Sequence, residues 1–267
     1  MEIIFAIVII AFLFETMDSS AGMGFGTGLA PLLFFMGYEP LQVVPILLIS
    51  EAITGITAGW FHNEFRNVNF SFKRPLNDAT RVMLTIAAIG CVAIFFSVML
   101  AYFAIEFSQV VIKTYVAVLV LLMGFIGLFR LKKRDMSNVV SSKHRSTIFK
   151  LFAALAGFNK GIGGGGYGPV VTMGQIFAGI YEKSATAIVS LAEGLVSVVG
   201  VASFFLITMT ETSVDLMLLP SIFTGGFLAA VISPYMVRVL PNKIWRIVIP
   251  TYAIIMGVLC LFKIFML

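Results

Sequence analysis

Apolar residues gather in runs that are too long and too free of charge for a water-soluble chain. Six of them, 40–60, 82–105, 110–129, 184–208, 214–237 and 244–262, reach or approach the ~20 residues that cross a ~30 Å hydrocarbon core. They predict membrane-spanning helices. Four shorter apolar arms, 3–17, 28–37, 147–157 and 168–179, are each short for a full span. The arms flank two glycine-rich stretches, GFGTGLAP at 24–31 and GFNKGIGGGGYGP at 157–169.

The stretches look like copies. GFGTGLAP lines up with IGGGGYGP (162–169), pairing Gly26 with Gly164, Gly28 with Gly166 and Pro31 with Pro169. After a four-residue length difference, Gly37 and Glu51 pair with Gly179 and Glu193, and MGFIGLFR (123–130) matches MGVLCLFK (256–263). Matches in the same order over most of both halves predict an internal duplication. The expected units are an N-terminal repeat, 1–131, a basic cytoplasmic linker, 132–145, and a C-terminal repeat, 146–267.

Charge decides between two topologies. If each glycine module is a re-entrant hairpin that returns to its own side, each half has a hairpin and three crossings, so the halves are inverted. With the linker cytoplasmic, Arg66, Lys73, Arg74, Arg81, Arg130, Lys132, Lys133, Arg134, Lys143, Arg145, Lys150, Lys183, Arg238, Lys243 and Arg246 all fall inside. Only Lys113 and Lys263 fall outside, with Glu106, Glu211 and Asp215. Eight full spans would move Lys183, Arg238, Lys243 and Arg246 outside and weaken the positive-inside bias. The expected fold is an all-α polytopic membrane protein of two inverted repeats, each a broken-helix hairpin plus three transmembrane helices, in the cell membrane.

Composition narrows the function classes. Hydrophobic residues make up 60% of the chain and charged residues 12%, with a mean hydropathy of +1.04. The net charge of +5 is therefore a topology signal and not a nucleic-acid footprint. Cys91 and Cys260 both lie in apolar runs, which gives neither a disulfide framework nor metal spacing. His62 and His144 are expected in cytoplasmic loops, far apart, so no metal site is expected. No Walker lysine follows the glycines, and no nucleophile–base pair is visible, so neither a cofactor nor an enzyme is expected. The run Ile3–Phe14 is short enough for a signal peptide, but Glu2 stands where a signal carries Lys or Arg, so it is expected to be retained.

Irregular backbone at membrane depth persists only when buried in protein or lining a polar cavity. Two hairpins from opposite faces would bring their loops together near the midplane, with half-helices starting near Thr27 and Gly168. Their free N–H groups and positive dipole ends favour an anion. Lys160, costly in a bilayer, sharpens that reading. The candidate substrate-binding residues are Lys160, Asn159, Gly163, Gly164, Gly165, Gly166, Tyr167, Gly168 and Gln175 in the second module. Gly24, Gly26, Thr27 and Gly28 are the candidates in the first. Glu51 and Glu193, equivalent and mid-helix, are proton-coupling candidates, or they tie the loops in place. Glu15 and Asp18 are expected to serve helix-end solvation or to pair with Lys160. The plainer alternative is that the glycines only let helices pack closely and Lys160 snorkels to an interface.

The duplicated stretches AGMGFGTGLAPLLFFMG and AGFNKGIGGGGYGPVV resemble the TauE/SafE family, the sulfite exporter or 4-toluene sulfonate uptake permeases. The resemblance covers essentially the whole chain and is stronger in the second module, since Phe25 and Thr27 interrupt the first. It implies a permease for a sulfur-containing anion such as sulfite or an organosulfonate, working by alternating access. An uncoupled anion channel, or a cation carrier using Glu51 and Glu193, stays open as an alternative. The expected partners are a small anion and membrane lipid, and a homodimer is left open.

Overall fold

A computed structural model describes residues 3–38, 40–101, 109–131, 142–208 and 216–266. The described residues are helical almost throughout. The six apolar runs become six long helices: α3 (Pro40–Glu64), α4 (Asp78–Met99), α5 (Gln109–Leu131), α8 (Glu182–Thr208), α9 (Leu219–Val239) and α10 (Asn242–Met266). Among the described residues, four of these (α3, α4, α8 and α9) contain stretches long and apolar enough to cross a membrane. The predicted span ends at 102–105 and 214–215, linker residues 132–141, and Glu106, Glu211 and Asp215 lie outside the described residues.

The two glycine modules are broken helices. In the first, α1 (Phe5–Ala21) stops at Gly22, and the chain resumes as a π-helical turn, Phe25–Leu29, that runs into α2 (Ala30–Phe35). In the second, α6 (Ser142–Gly163) stops at Gly164 and α7 (Tyr167–Phe177) begins after Gly166. Gly22 and Gly164 take φ of 71° and 68°, a left-handed conformation that ends a helix and that only glycine adopts without strain. Each module doubles back. The Phe152 and Phe177 rings are 5.9 Å apart, so the end of α7 returns to the first half of α6. Likewise Tyr38, beyond α2, packs in the cluster that holds Ile4 and Ile7.

Three expectations are corrected here. First, the unwound backbone is confined to 22–24 and 164–166, so Gly163, Tyr167, Gly168, Gly26, Thr27 and Gly28 sit on helical turns and not in loops. The α6 arm has 22 residues, about 33 Å of helix, well beyond the short 147–157 arm. Gly157 and Gly161 remain helical because packing outweighs their propensity: a Cβ at either would collide with α4, at the Gly90 carbonyl and the Ser97 hydroxyl respectively. Second, the structural match between modules is Gly22 with Gly164 and not Gly26 with Gly164. That spacing also relates Gly37 to Gly179, at φ of 95° and 90°, and Glu51 to Glu193, with no length difference. Asp18 then stands where the second module has Lys160. Third, His62 lies on the last turn of α3, fully buried, and His144 lies in the first turn of α6.

Around the modules, α1 packs on α9, α6 on α4, α3 on both α8 and α9, α4 on α8, and α5 on α10. The α3–α8 contact is close because Gly55 and Gly194 meet backbone to backbone. At one end of the molecule, Ser184 Oγ donates to the Asn67 carbonyl at 3.4 Å and Lys183 Nζ to the Arg238 carbonyl at 3.3 Å. The loop after α3, the start of α8 and the end of α9 therefore share that end.

Candidate functional site

The two breaks meet. A Cβ at Gly26 would collide with the Gly164 carbonyl, and one at Gly165 would come within 2.7 Å of the Gly26 carbonyl. The Gly166 N–H donates to Thr27 Oγ1 at 3.2 Å, and Thr172 Oγ1 donates to the Gly22 carbonyl at 2.9 Å. The glycine contacts are between backbones, which the lack of a Cβ permits, and the hydrogen bonds link each break to a threonine hydroxyl of the other module.

Beside this junction lies a buried ion cluster. The Lys160 ammonium, on the last turn of α6, donates to Glu193 Oε1 at 2.7 Å and to Glu51 Oε2. Its side chain and both carboxylates are at most 5% exposed. A buried ammonium is tolerable only with such partners, since an unpaired charge in low dielectric costs several kcal/mol. The Tyr167 ring face stands 5.4 Å from Nζ, within cation–π range. On the first module, Glu15 accepts from Ser19 Oγ at 2.6 Å and from Thr54 Oγ1 at 3.4 Å. Asp18 accepts from the Phe25 N–H at 3.3 Å, capping the π-helical turn. Glu15 and Asp18 are close enough to feel the charges of Glu51 and Glu193.

Several side-chain atoms here are buried without a hydrogen-bond partner: both amide atoms of Asn159, the hydroxyls of Ser50, Ser197 and Tyr167, Glu51 Oε1 and Glu193 Oε2. Buried polar groups are nearly always paired, so this concentration sets the site apart from the rest of the described interior. Ser50 adjoins Glu51 on α3, and Ser197 lies one turn beyond Glu193 on the same face of α8.

Most of the residues expected from the sequence are therefore together. Lys160, Gly164, Gly165, Gly166, Tyr167, Gly168, Gly26 and Thr27 line or adjoin the junction, and Glu51 and Glu193 reach it from α3 and α8. Gly24 and Gly28 are joined by the 2.7 Å bond that opens the π-helical turn, and Gly163 closes α6. Asn159 is buried next to Lys160. Gln175 stands apart: it lies two turns along α7, and its Nε2 donates to the Ala185 carbonyl at 3.3 Å. The pairing of Lys160 with both glutamates was not foreseen, nor were the roles of Thr54, Ser50, Ser197 and His62. For Ser197 the signal was available, a hydroxyl four residues after an intramembrane glutamate.

Comparison with known proteins agrees with this picture. The probable membrane transporter protein YtnM of Bacillus subtilis (strain 168) is 25% identical over 260 residues, which cover 96% of this chain and 81% of that protein. The profile of the family described as sulfite exporter TauE/SafE matches residues 7–260. With nearly its whole length matched, helices included, the chain belongs to the TauE/SafE sulfite exporter family and is a multi-pass membrane transporter, not an enzyme.

Proposed function

We propose that the protein is a secondary transporter of a small sulfur-containing anion, such as sulfite or an organosulfonate, and that the anion binds where the two helix breaks meet. The observation that carries this reading is Lys160, held between Glu51 and Glu193 beside the Gly26–Gly164 contact. The two carboxylates already occupy the ammonium as internal anions. They take two of its three N–H donors, so a substrate anion on the third adds negative charge at membrane depth, which is tolerated when a carboxylate takes up a proton. Anion and proton therefore arrive and leave together, with Glu51 and Glu193 as proton carriers. Asn159, Tyr167 and the amides of Gly165, Tyr167 and Gly168 supply neutral donors to the anion's remaining oxygens, the N–H groups of Gly164 and Gly166 being taken by the Lys160 carbonyl and Thr27 Oγ1.

Alternating access comes from two inverted repeats, 1–131 and 146–267, joined by the linker 132–145. Two observations support this. The main packing pairs are kept when the halves are exchanged: α1 on α9 becomes α6 on α4, α3 on α9 becomes α8 on α4, and α3–α8 and α5–α10 map onto themselves. The bonds Ser184–Asn67 and Lys183–Arg238 bring the loop after α3, the start of α8 and the end of α9 together, which supports the hairpin topology over eight full spans. That shared end is the basic, cytoplasmic one.

The test is binding and flux. Sulfite and a sulfonate should raise the thermal stability of the purified protein. In proteoliposomes an imposed pH gradient should drive either one to accumulate. Failure of every sulfur anion to bind would reject the substrate. A second reading, a cation carrier, draws on the four carboxyl groups Glu15, Asp18, Glu51 and Glu193 around one lysine. It is favoured if a Na⁺ gradient drives uptake and sulfur anions have no effect.

A further inference from the structure

Between the ion cluster and the basic end lies a junction formed by His62, on the last turn of α3, and Asn67, three residues beyond that helix. Four hydrogen bonds converge there. His62 Nε2 contacts the Ser19 carbonyl of α1 at 2.8 Å, and His62 Nδ1 contacts Asn67 Nδ2 at 3.0 Å. The same Asn67 amide donates to the Pro234 carbonyl of α9 at 2.8 Å, and the Asn67 carbonyl accepts from Ser184 of α8 at 3.4 Å. Asn67 thus ties the end of α3 to α8 and α9, and His62 ties it to α1. His62 is fully buried and Asn67 is 8% exposed.

The position of this knot gives it a consequence. Along α1, Ser19, whose carbonyl meets His62, also bonds Glu15 through its hydroxyl. Along α8, Ser184 lies between the basic end and Glu193. Any opening of the cluster toward the basic end that parts the first module from α3, or α8 from α9, must break these bonds. Once broken in a dry interior, the amide and the imidazole would be left unpaired, and Asn67 Oδ1 is already without a partner. They can separate only into water. The knot is therefore stable when closed and dry, or when open and wet, and unfavourable between, which is the behaviour of a gate.

The opposite end is built differently. In the register that relates Glu51 to Glu193, Phe204 stands where His62 stands. There α3 and α8 bound a shallow apolar crevice lined by Pro45, Ile49, Val201, Phe204 and Phe205.

We infer that Asn67, with His62, is the positioning residue that latches the transport site shut toward the basic face. This rests on the proposed alternating-access reading but not on the identity of the substrate. The test uses full-length protein in liposomes with both native cysteines replaced, and no substrate. A cysteine at Ser190 reports from behind the latch: that residue is 4% exposed, lies between the basic end and Glu193 on α8, and uses its hydroxyl only for an intrahelical bond to Thr186. Exposed Lys73→Cys identifies the basic face. A membrane-impermeant maleimide added to that face should label Ser190→Cys about tenfold faster when Asn67→Ala or Asn67→Leu is present, since either change removes two amide hydrogen bonds. Asn67→Leu keeps the approximate size of the side chain and decides the matter if Asn67→Ala does not fold. Unchanged labelling, or a rise of equal size from the opposite face, overturns the latch. Loss of sulfite binding with labelling as expected would reject the substrate and leave the latch standing.

Discussion

Gly26→Ala puts a methyl group into the contact between the two breaks. The new Cβ falls on the Gly164 carbonyl and 2.9 Å from Glu51 Oε1. The first of these is backbone, so no side-chain rotation relieves it. Either the π-helical turn withdraws or the second break does. Overpacking of this kind costs about 1–3 kcal/mol, which shifts a docked–undocked equilibrium roughly 5- to 150-fold. The effect is steric alone, because Gly26 does not have a positive φ. Gly226→Ala on α9 is the control. Its Cβ would come within 3.3–3.4 Å of Thr54, Phe25 and Ser50, all side-chain atoms that can give by a few tenths of an ångström as a backbone carbonyl cannot, and alanine gains up to about 1 kcal/mol over glycine within a helix. Thermal unfolding in detergent, followed by tryptophan fluorescence, should show Gly26→Ala clearly destabilised and Gly226→Ala equal to or above the parent. In liposomes, Gly26→Ala should lose most anion flux while Gly226→Ala keeps it. Equal stability and flux for the two variants would refute the idea that the breaks must touch.

Other expectations follow from the same geometry. Lys160→Met should destabilise by about 3–5 kcal/mol, because two buried carboxylates lose their cation. Adding Glu51→Gln and Glu193→Gln should recover much of that in a melt while flux stays absent. Thr27→Val removes the acceptor for the Gly166 N–H and should cost about 1 kcal/mol, read as a lower unfolding temperature. Cysteines at exposed Lys73 and Arg238 should react with an impermeant reagent from the same face of the membrane, and reaction from opposite faces would restore the eight-span topology.

Much of this was legible in the chain, for reasons that differ by feature. The six long helices follow from length and hydropathy, which the bilayer imposes locally. Glu51, Lys160 and Glu193 stood out because charge is so unfavourable at membrane depth. Their union did not, because Lys160 and Glu51 are 109 residues apart, and only the α3–α8 packing and the α6 hairpin together bring them into contact. The glycine stretch misled in its extent. Gly157 and Gly161 read as loop by propensity, yet α4 approaches them so closely that they serve as helix-packing residues. The register between modules slipped by four because the run of four glycines at 163–166 offers several equally good matches, and the left-handed turns at Gly22 and Gly164 select one. His62 looked like a loop residue because it follows the last apolar stretch of α3, and its partners lie on α1 and in the turn beyond.

The structural equivalence of Asp18 and Lys160 bears on how such a chain can be divided. Severed between Leu131 and Ser142, the first fragment would carry Glu15, Asp18 and Glu51 into its contact surface with no base to match them, and the second would carry Lys160 with Glu193. Two first fragments could not associate without burying six acids together. The first fragment therefore needs Lys160 of the second, and co-expressed the two should reassemble one to one.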